Sequence, residues 1–131
     1  MFKIHKKFEK TSYYITDLKL CQVRLNDNAK FPWIMLLPKR KGVGQILDLN
    51  RKDQIRLMDE IQYCSKVMKK HFTCFNLNVE KVGNIIPQLH IHVIARHKQD
   101  PSWPLSVWVV KGKPYTKVSL AKILEKLRKV I

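Results

Sequence analysis

Residues 88–94 constrain the fold more than any other part of the chain. They read Gln-Leu-His-Ile-His-Val-Ile, and this alternation of polar and apolar residues with a period of two predicts a β-strand. The apolar face is expected to carry Leu89, Ile91, Val93 and Ala95, and the polar face Gln88, His90, His92 and Arg96. A strand with a purely structural role is better served by Thr, Lys or Val than by two imidazoles. We therefore expect the chemistry of the protein to lie on this polar face.

Four more strands and two helices are predicted around this segment. The strands are expected near residues 13–15, 20–25, 33–37 and 75–79. Residues 33–37 form a continuous apolar run, which is typical of a central strand buried on both faces. Residues 2–10 fit either a short helical turn or an irregular arm. The order β-β-β-α-β-β-α predicts an α+β domain with a mostly antiparallel sheet, a central helix and a C-terminal helix.

The two helices are predicted from their caps and their apolar stripes. Asn50 is a good N-cap residue, and Asp53 suits the positive first turn of the central helix. The buried stripe of this helix is expected to carry Ile55, Met58 and Ile61, with Leu57, Cys64, Val67 and Met68 beside them. Ser119 is the expected cap of the C-terminal helix. We expect one domain over residues 1–131, with a core over 10–104 and a C-terminal helix over 116–131.

The composition favours a protein that attracts phosphorylated ligands and works in a reducing compartment. The formal net charge is +16, from 26 Lys and Arg against 10 Asp and Glu. Scattered lysines indicate a solvated surface, but their field still attracts nucleotides, and no basic segment with interleaved aromatics supports nucleic-acid binding. Three cysteines without CxxC spacing fit neither a disulfide framework nor a zinc cluster. No apolar run suits a signal peptide or a membrane span, so we expect a soluble, cytoplasmic protein.

Three interpretations fit the histidines of the predicted strand. In the first, a neutral His90 attacks phosphorus and forms a phosphoramidate that water releases, with Gln88 and His92 placed to stabilise the phosphoryl oxygens. In the second, His90 and His92 bind a metal, since an i, i+2 pair on a strand is a known ligand geometry. That site has no evident third ligand, and His97 is the nearest candidate. In the third, the two histidines are hydrogen-bonded and purely structural.

The surrounding residues resemble the signature of the histidine-triad (HIT) superfamily of nucleotide hydrolases and transferases. The segment QLHIHVI follows Gly83-Asn84 and is similar to the family pattern His-φ-His-φ-His-φ-φ, in which φ is hydrophobic. The resemblance runs from about Cys21 to Trp103 and includes a strand that ends in Pro-Lys. It implies a HIT-like α+β fold, commonly a homodimer, that binds a purine nucleotide with its α-phosphate at the histidines. No catalytic metal is expected.

The resemblance also implies a role for each site residue and an activity. His90 takes the place of the middle histidine, which is the nucleophile. The other implied roles are phosphate binding by Gln88, His92 and Asn84, nucleoside binding by Asn26, Asp27 and Asn78, and pocket closure by Trp103. The implied reaction is hydrolysis at the α-phosphate of a dinucleoside polyphosphate such as diadenosine tetraphosphate (Ap4A), or of an adenylated amine. A catalytically weak nucleotide-sensing module and a nucleotidyl transferase or phosphorylase are the alternatives.

Three positions depart from the family pattern. Gln88 replaces the first histidine of the triad, and Pro32-Trp33 stand where Gly-His is usual. Ile85 occupies the position of a Ser or Thr that normally donates to the phosphate. Because an amide cannot carry a proton, the general acid is expected to be His92, a water or the leaving group itself.

Overall fold

The computed structural model describes all 131 residues and confirms the predicted α+β class. Its strands are β1 (Ser12–Asp17), β2 (Cys21–Asn26), β3 (Trp33–Pro38), β4 (Asn76–Glu80) and β5 (Ile91–Arg96), and its helices are α1 (Lys6–Thr11), α2 (Arg51–His71) and α3 (Lys117–Val130). The strands form one sheet in the order β1-β2-β3-β5-β4 with every pair antiparallel. Residues 2–10, which fitted either a helical turn or an irregular arm, therefore include most of the helix α1. None of the helices has the length and apolar character needed to cross a membrane.

Strand β3 is buried along its whole length, as its apolar run predicted. Ile34 and Leu36 face the larger core, where side chains of α2 and α3 pack against the sheet. Trp33 and Met35 face the opposite side and belong to a smaller cluster with Phe8 of α1. The sheet therefore has a helical layer on one face, and the second face is covered by the N-terminal helix and by later loops.

Helix α2 begins as predicted and buries part of the predicted stripe. The Asn50 side chain accepts from the backbone N–H of Asp53 at 2.8 Å. The predicted stripe is confirmed at Leu57, Cys64 and Met68 but wrong at Ile55 and Met58, which are 52% and 64% exposed. The buried residues are Asp53, Leu57, Glu60, Cys64 and Met68. Glu60 is buried because its carboxylate accepts the backbone N–H groups at the start of β2, where an unpaired N–H would be costly.

Helix α3 begins two residues before its predicted cap. Thr116 is the N-cap residue, and its side chain accepts from the N–H of Ser119 at 3.1 Å. The Ser119 hydroxyl in turn accepts from the N–H of Thr116 at 3.0 Å. Ser119 is therefore the reciprocal partner in a capping box and not the cap itself.

Strand β5 starts at Ile91, three residues later than the alternation suggested. The N–H of Leu89 donates to the carbonyl of Val43 in a loop, so the preceding residues lie outside the sheet ladder. The predicted apolar face is nevertheless confirmed, because Leu89, Ile91, Val93 and Ala95 all belong to the larger core. His90 and His92 both lie on the opposite side, with ring centroids 4.8 Å apart.

Candidate active site

His90 is held in the tautomer that a nucleophile needs. Its Nδ1 lies 2.7 Å from the main-chain carbonyl oxygen of Gln88. A carbonyl only accepts, so Nδ1 carries the proton and Nε2 keeps its lone pair. The ring of Phe8 packs edge-on against the imidazole at 4.7 Å and fixes its orientation. His90 therefore presents an unprotonated nitrogen on a side chain that is 6% exposed.

The surroundings of His90 favour its neutral form. Burial lowers the pKa of His90 below its ordinary value. The hydrogen bond to the Gln88 carbonyl opposes this shift, and the positive charge of Lys81 adds to it. Because a protonated ring has no lone pair on Nε2, a lowered pKa widens the pH range in which His90 can attack.

His92 is fixed by Trp33, the residue that departs from the family pattern. The indole Nε1–H donates to His92 Nδ1 at 2.9 Å, and both side chains are buried. Burial, reinforced by the neighbouring His90, lowers the pKa of His92 to about 3. The proton of the neutral ring is therefore on Nε2. Trp33 thus supplies an outer-shell hydrogen bond in place of the histidine that the family pattern usually has.

A second indole that the sequence analysis missed also packs on His92. Trp108 lies in a short 3₁₀ turn at Val107–Val109, with its ring 5.3 Å from that of His92 and 5.0 Å from that of Trp33. Its Nε1–H donates to the carboxylate of Glu80 at 2.9 Å. No sequence pattern marks Trp108, because its neighbours in the chain are apolar and the loop has no periodicity.

A cavity of about 460 Å³ opens in front of the two histidines. Of the predicted site residues, it contains His90, His92, Asn26 and Asn84. Its apolar wall includes Phe8, Met35 and Trp108, and Lys7 and Thr11 of α1 lie at its edge. Ile85, which replaces the usual hydroxyl donor, also lines the cavity and is 80% exposed. A cavity of this size and mixed lining suits a small ligand with one apolar and one polar part.

The structure places the other predicted site residues outside this cavity. The carboxylate of Asp27 accepts from the backbone N–H of Tyr115 at 2.9 Å, and Asn78 Oδ1 accepts from buried Arg96 at 2.7 Å. Trp103 packs on Phe75 with ring centroids 5.4 Å apart, and Trp108 occupies the cavity wall instead. The Gln88 side chain points to the N-terminal arm. The structure thus brings together four of the eight predicted residues.

Gln88 holds the N-terminal arm, residues 3–5 before α1, beside the histidines. Its Oε1 accepts from the backbone N–H of His5 at 2.8 Å, and its Nε2 donates to the carbonyl of Lys3 at 2.8 Å. His5 caps α1 by accepting from the N–H of Lys7. At the other end of α1, Arg24 donates to the backbone of Ser12 at 3.0 Å. A six-residue helix is unstable alone, so these anchors explain why α1 stays over His90.

We expect Gln88→Ala to loosen this arm. Two hydrogen bonds of about 1 kcal/mol each are lost, so amide hydrogen exchange in α1 should accelerate, and the free energy of unfolding should fall by about 1–2 kcal/mol. Exchange mass spectrometry and urea unfolding measure the two effects. Gln99→Ala changes an exposed glutamine of the 97–100 turn and should alter neither the exchange in α1 nor the free energy of unfolding. Equal exchange in α1 of both variants would contradict the anchoring role.

Acid is expected to destabilise the protein through His92. Its folded pKa is about 3, whereas an unfolded histidine titrates near about 6.5. Between these values the unfolded chain binds more protons, so the free energy of unfolding falls as the pH is lowered from about 6.5. Urea unfolding across this range measures the slope, which should be smaller in His92→Asn. An identical slope in both proteins would mean that His92 is not held neutral.

The structure brings no third His, Cys, Asp or Glu side chain to the histidine pair. No group of three such residues close enough to hold a metal ion occurs anywhere in the chain. His97, the nearest candidate by sequence, accepts from the N–H of Gln99 in the turn after β5. The cavity therefore offers two imidazoles, two amides, the Thr11 hydroxyl and the exposed Lys7 ammonium, and this set suits phosphate recognition and nucleophilic attack.

Comparison with known proteins assigns the family. Residues 7–99 match the family model of the HIT domain, whereas no curated protein matches the chain significantly. The chain is 34% identical to a histidine triad protein from Bradyrhizobium japonicum, with a TM-score of 0.95 and coverage of 99% of this chain and 98% of that chain. A histidine triad protein from Marinobacter aquaeolei VT8 is also 34% identical, with a TM-score of 0.95 and coverage of 99% and 96%. A third, from Sinorhizobium meliloti 1021, is 31% identical, with a TM-score of 0.94 and coverage of 99% and 97%. With its fold and its pair of oriented histidines, the chain belongs to the HIT-domain family of histidine-triad proteins.

Proposed function

We propose that the protein hydrolyses a nucleotide conjugate at its α-phosphorus through a covalent nucleotidyl-histidine on His90. The observation that carries this proposal is the hydrogen bond from His90 Nδ1 to the Gln88 carbonyl at 2.7 Å. It leaves Nε2 with a free lone pair at the wall of the cavity, which is the state that attacks phosphorus. The candidate substrates are dinucleoside polyphosphates such as Ap4A and adenylated amines.

The cavity has suitable partners for each part of a purine nucleotide. Phe8, Met35 and Trp108 offer apolar surface for the base. The amides of Asn26 and Asn84 offer donors and acceptors for the ribose and the phosphate. The net charge of +16 draws anionic ligands towards the protein.

The reaction has two steps, formation of the nucleotidyl-histidine and its hydrolysis. The His90 Nε2 lone pair forms a bond to the α-phosphorus, and the leaving group departs with the electron pair of its own bond to phosphorus. The positive charge that develops on the ring is stabilised through Nδ1–H by the Gln88 carbonyl. Water then attacks phosphorus, the N–P electron pair returns to Nε2, and the proton of the water passes to the solvent. His92 Nε2–H is the neighbouring donor for a phosphoryl oxygen in both steps.

Incubation with Ap4A in the presence of a chelator tests this proposal. We expect release of mononucleotide without added metal, and a quenched reaction should contain protein heavier by one nucleotidyl group on the peptide that carries His90. Loss of turnover on chelation would contradict the metal-free mechanism. Binding without turnover would point to a sensing module, and faster product formation with an added acceptor than with water would point to a transferase or phosphorylase.

A homodimer and a cytoplasmic location are part of the same proposal. Cys21, Cys64 and Cys74 are all free thiols, which supports a reducing compartment. Light scattering of the purified protein tests the dimer, and fractionation of cells with an antibody tests the location. A monomer at high concentration would exclude the dimer without affecting the nucleophile.

A further inference from the structure

The hydrogen bond between Trp33 and His92 determines what His92 can do in a reaction. An indole N–H has no lone pair in the ring plane and only donates. His92 Nδ1, which lies 2.9 Å from Trp33 Nε1, must therefore accept. Protonation of Nδ1 would place two N–H donors against each other inside the protein and remove this bond. The geometry thus keeps His92 as a neutral ring with one donor, Nε2–H.

None of the ion pairs of the protein includes His92. On the same segment it faces His90, which is itself neutral. On β4 the paired residue is Glu80, whose carboxylate accepts from Trp108 Nε1. On β3 the neighbours are Trp33 and Met35, which carry no charge. Burial in this environment agrees with a strongly lowered pKa for His92.

The other side chains of the cavity do not include a carboxylic acid. Its polar groups besides the histidines are the amides of Asn26 and Asn84, the hydroxyl of Thr11 and the exposed ammonium of Lys7. An amide transfers no proton, and the Gln88 amide is occupied by the N-terminal arm. The site thus has donors for phosphoryl oxygens but no imidazolium or carboxylic acid that could protonate a leaving group, and its one ammonium, Lys7, is on an exposed side chain at the cavity edge.

We propose that Trp33 makes this site selective for acid anhydrides, whose leaving group departs as a phosphate anion, over amidates, whose leaving amine needs a proton. The proposal rests on the proposed function of His90. In the anhydride, His90 Nε2 forms the N–P bond while the P–O bond to the second phosphoryl group breaks. That oxygen keeps the electron pair and leaves as an anion of low basicity. In an amidate the departing nitrogen is strongly basic, and its P–N bond breaks slowly until a proton reaches it.

A matched pair of substrates tests the selectivity. One carries adenosine 5′-phosphate joined to phosphate by an anhydride bond, and the other carries the same nucleotide joined to an alkylamine by a P–N bond. Since a positioned general acid accelerates such steps by about 10²–10⁴-fold, we expect kcat/KM, which reports formation of the His90 adduct, to be at least on the order of 10²-fold higher for the anhydride.

Two matched substitutions test the role of Trp33 as a positioning residue. Trp33→Phe keeps an aromatic ring but removes the N–H that holds His92 Nδ1. Trp103→Phe removes an indole N–H from a ring that packs on Phe75 outside the cavity. We expect the ratio of amidate to anhydride kcat/KM to rise about tenfold or more in Trp33→Phe and to stay near the parental ratio in Trp103→Phe. Equal changes in both variants would overturn the assignment to Trp33.

Nuclear magnetic resonance of the His92 ring nitrogens provides a readout that does not depend on activity. We expect Nε2 protonated and Nδ1 unprotonated from about pH 5 to 8, in which range an ordinary histidine titrates. In Trp33→Phe the pKa of His92 should rise. If His92 of the parent protein titrates near about 6.5, the inference fails.

The failure of this inference differs from the failure of the proposed function. If neither substrate forms an adduct on His90, the proposed function is wrong. If both form the adduct at similar rates, the nucleophile stands and the selectivity for anhydrides is wrong. Preference for the amidate would likewise overturn the selectivity.

Discussion

Replacing His90 with alanine is expected to abolish nucleotide hydrolysis while the protein remains folded. The substitution removes the nitrogen that we propose as the nucleophile, and loss of a nucleophile lowers kcat by about 10³-fold or more. Nucleotide binding should persist, because Asn26, Asn84 and the apolar wall are unchanged. Steady-state kinetics with Ap4A measures kcat, and titration calorimetry with AMP measures binding. Hydrolysis at the parental rate would refute the assignment of His90.

A matched histidine and a rescue experiment separate chemistry from structure. His97→Ala changes a histidine seven residues further along the chain, outside the cavity, and should keep kcat within about threefold, since such loop changes have small effects. His90→Gly leaves a space beside Phe8 into which added imidazole can enter. We expect imidazole to restore part of the activity of His90→Gly and none of the activity of a His92→Gly variant. Rescue of neither protein, together with loss of the fold in His90→Ala, would assign His90 a structural role.

Local patterns predicted the sheet and the position of the histidines well. Alternation placed His90 and His92 on one face and Leu89 and Ile91 on the other, because a strand exposes successive side chains to opposite sides. The helix α2 was located correctly, but only part of its buried face was predicted. A buried Glu60 breaks the apolar periodicity, and its partners are backbone N–H groups about 40 residues away that no sequence window contains.

The hydrogen bonds that hold the site residues could not be predicted from the sequence for the same reason. Gln88 was expected to face the phosphate, but its amide bonds the arm at Lys3 and His5, more than 80 residues earlier in the chain. From the sequence, Trp33 marked the loss of a histidine that the family pattern usually has. In the structure its indole donates a hydrogen bond to His92 across two paired strands. Side-chain partners of this kind depend on tertiary contacts, and spacing along the chain carries no information about them.

The second large effect is expected at the buried pair of Arg96 and Asp100. Their side chains are each 1% exposed, and two hydrogen bonds of 2.6 and 3.0 Å join them. Arg96 also donates to Asn78 at 2.7 Å and to the carbonyl of Leu105 at 2.7 Å. Removing one member of a buried pair leaves an uncompensated charge, so Arg96→Met should lower the free energy of unfolding by about 3–5 kcal/mol. Urea or guanidinium unfolding at neutral pH measures this loss.

The pair should also show a characteristic dependence on pH. Burial alone would raise the pKa of Asp100, but the hydrogen bonds from Arg96 and from nearby backbone N–H groups outweigh it, so the pKa is lowered. A carboxyl group with a lowered folded pKa stabilises the protein above its unfolded pKa of about 3.9 and loses this effect as the pH falls through the folded value. In Asp100→Asn this acid-dependent part of the stability should disappear. An unchanged acid slope would contradict the pairing.

A second arginine and aspartate in the chain provide the control for burial. Arg40 contacts Asp53 at 2.7 and 3.1 Å in the same two-pronged way, but the Arg40 side chain is 45% exposed. Solvent screens this pair, so Arg40→Met should cost only about 0–1 kcal/mol. Because Arg96 holds the loop that leads to Trp108, Arg96→Met should in addition reduce kcat by disturbing the indole on His92. Equal losses of stability in the two arginine variants would show that burial does not decide the strength of this pair.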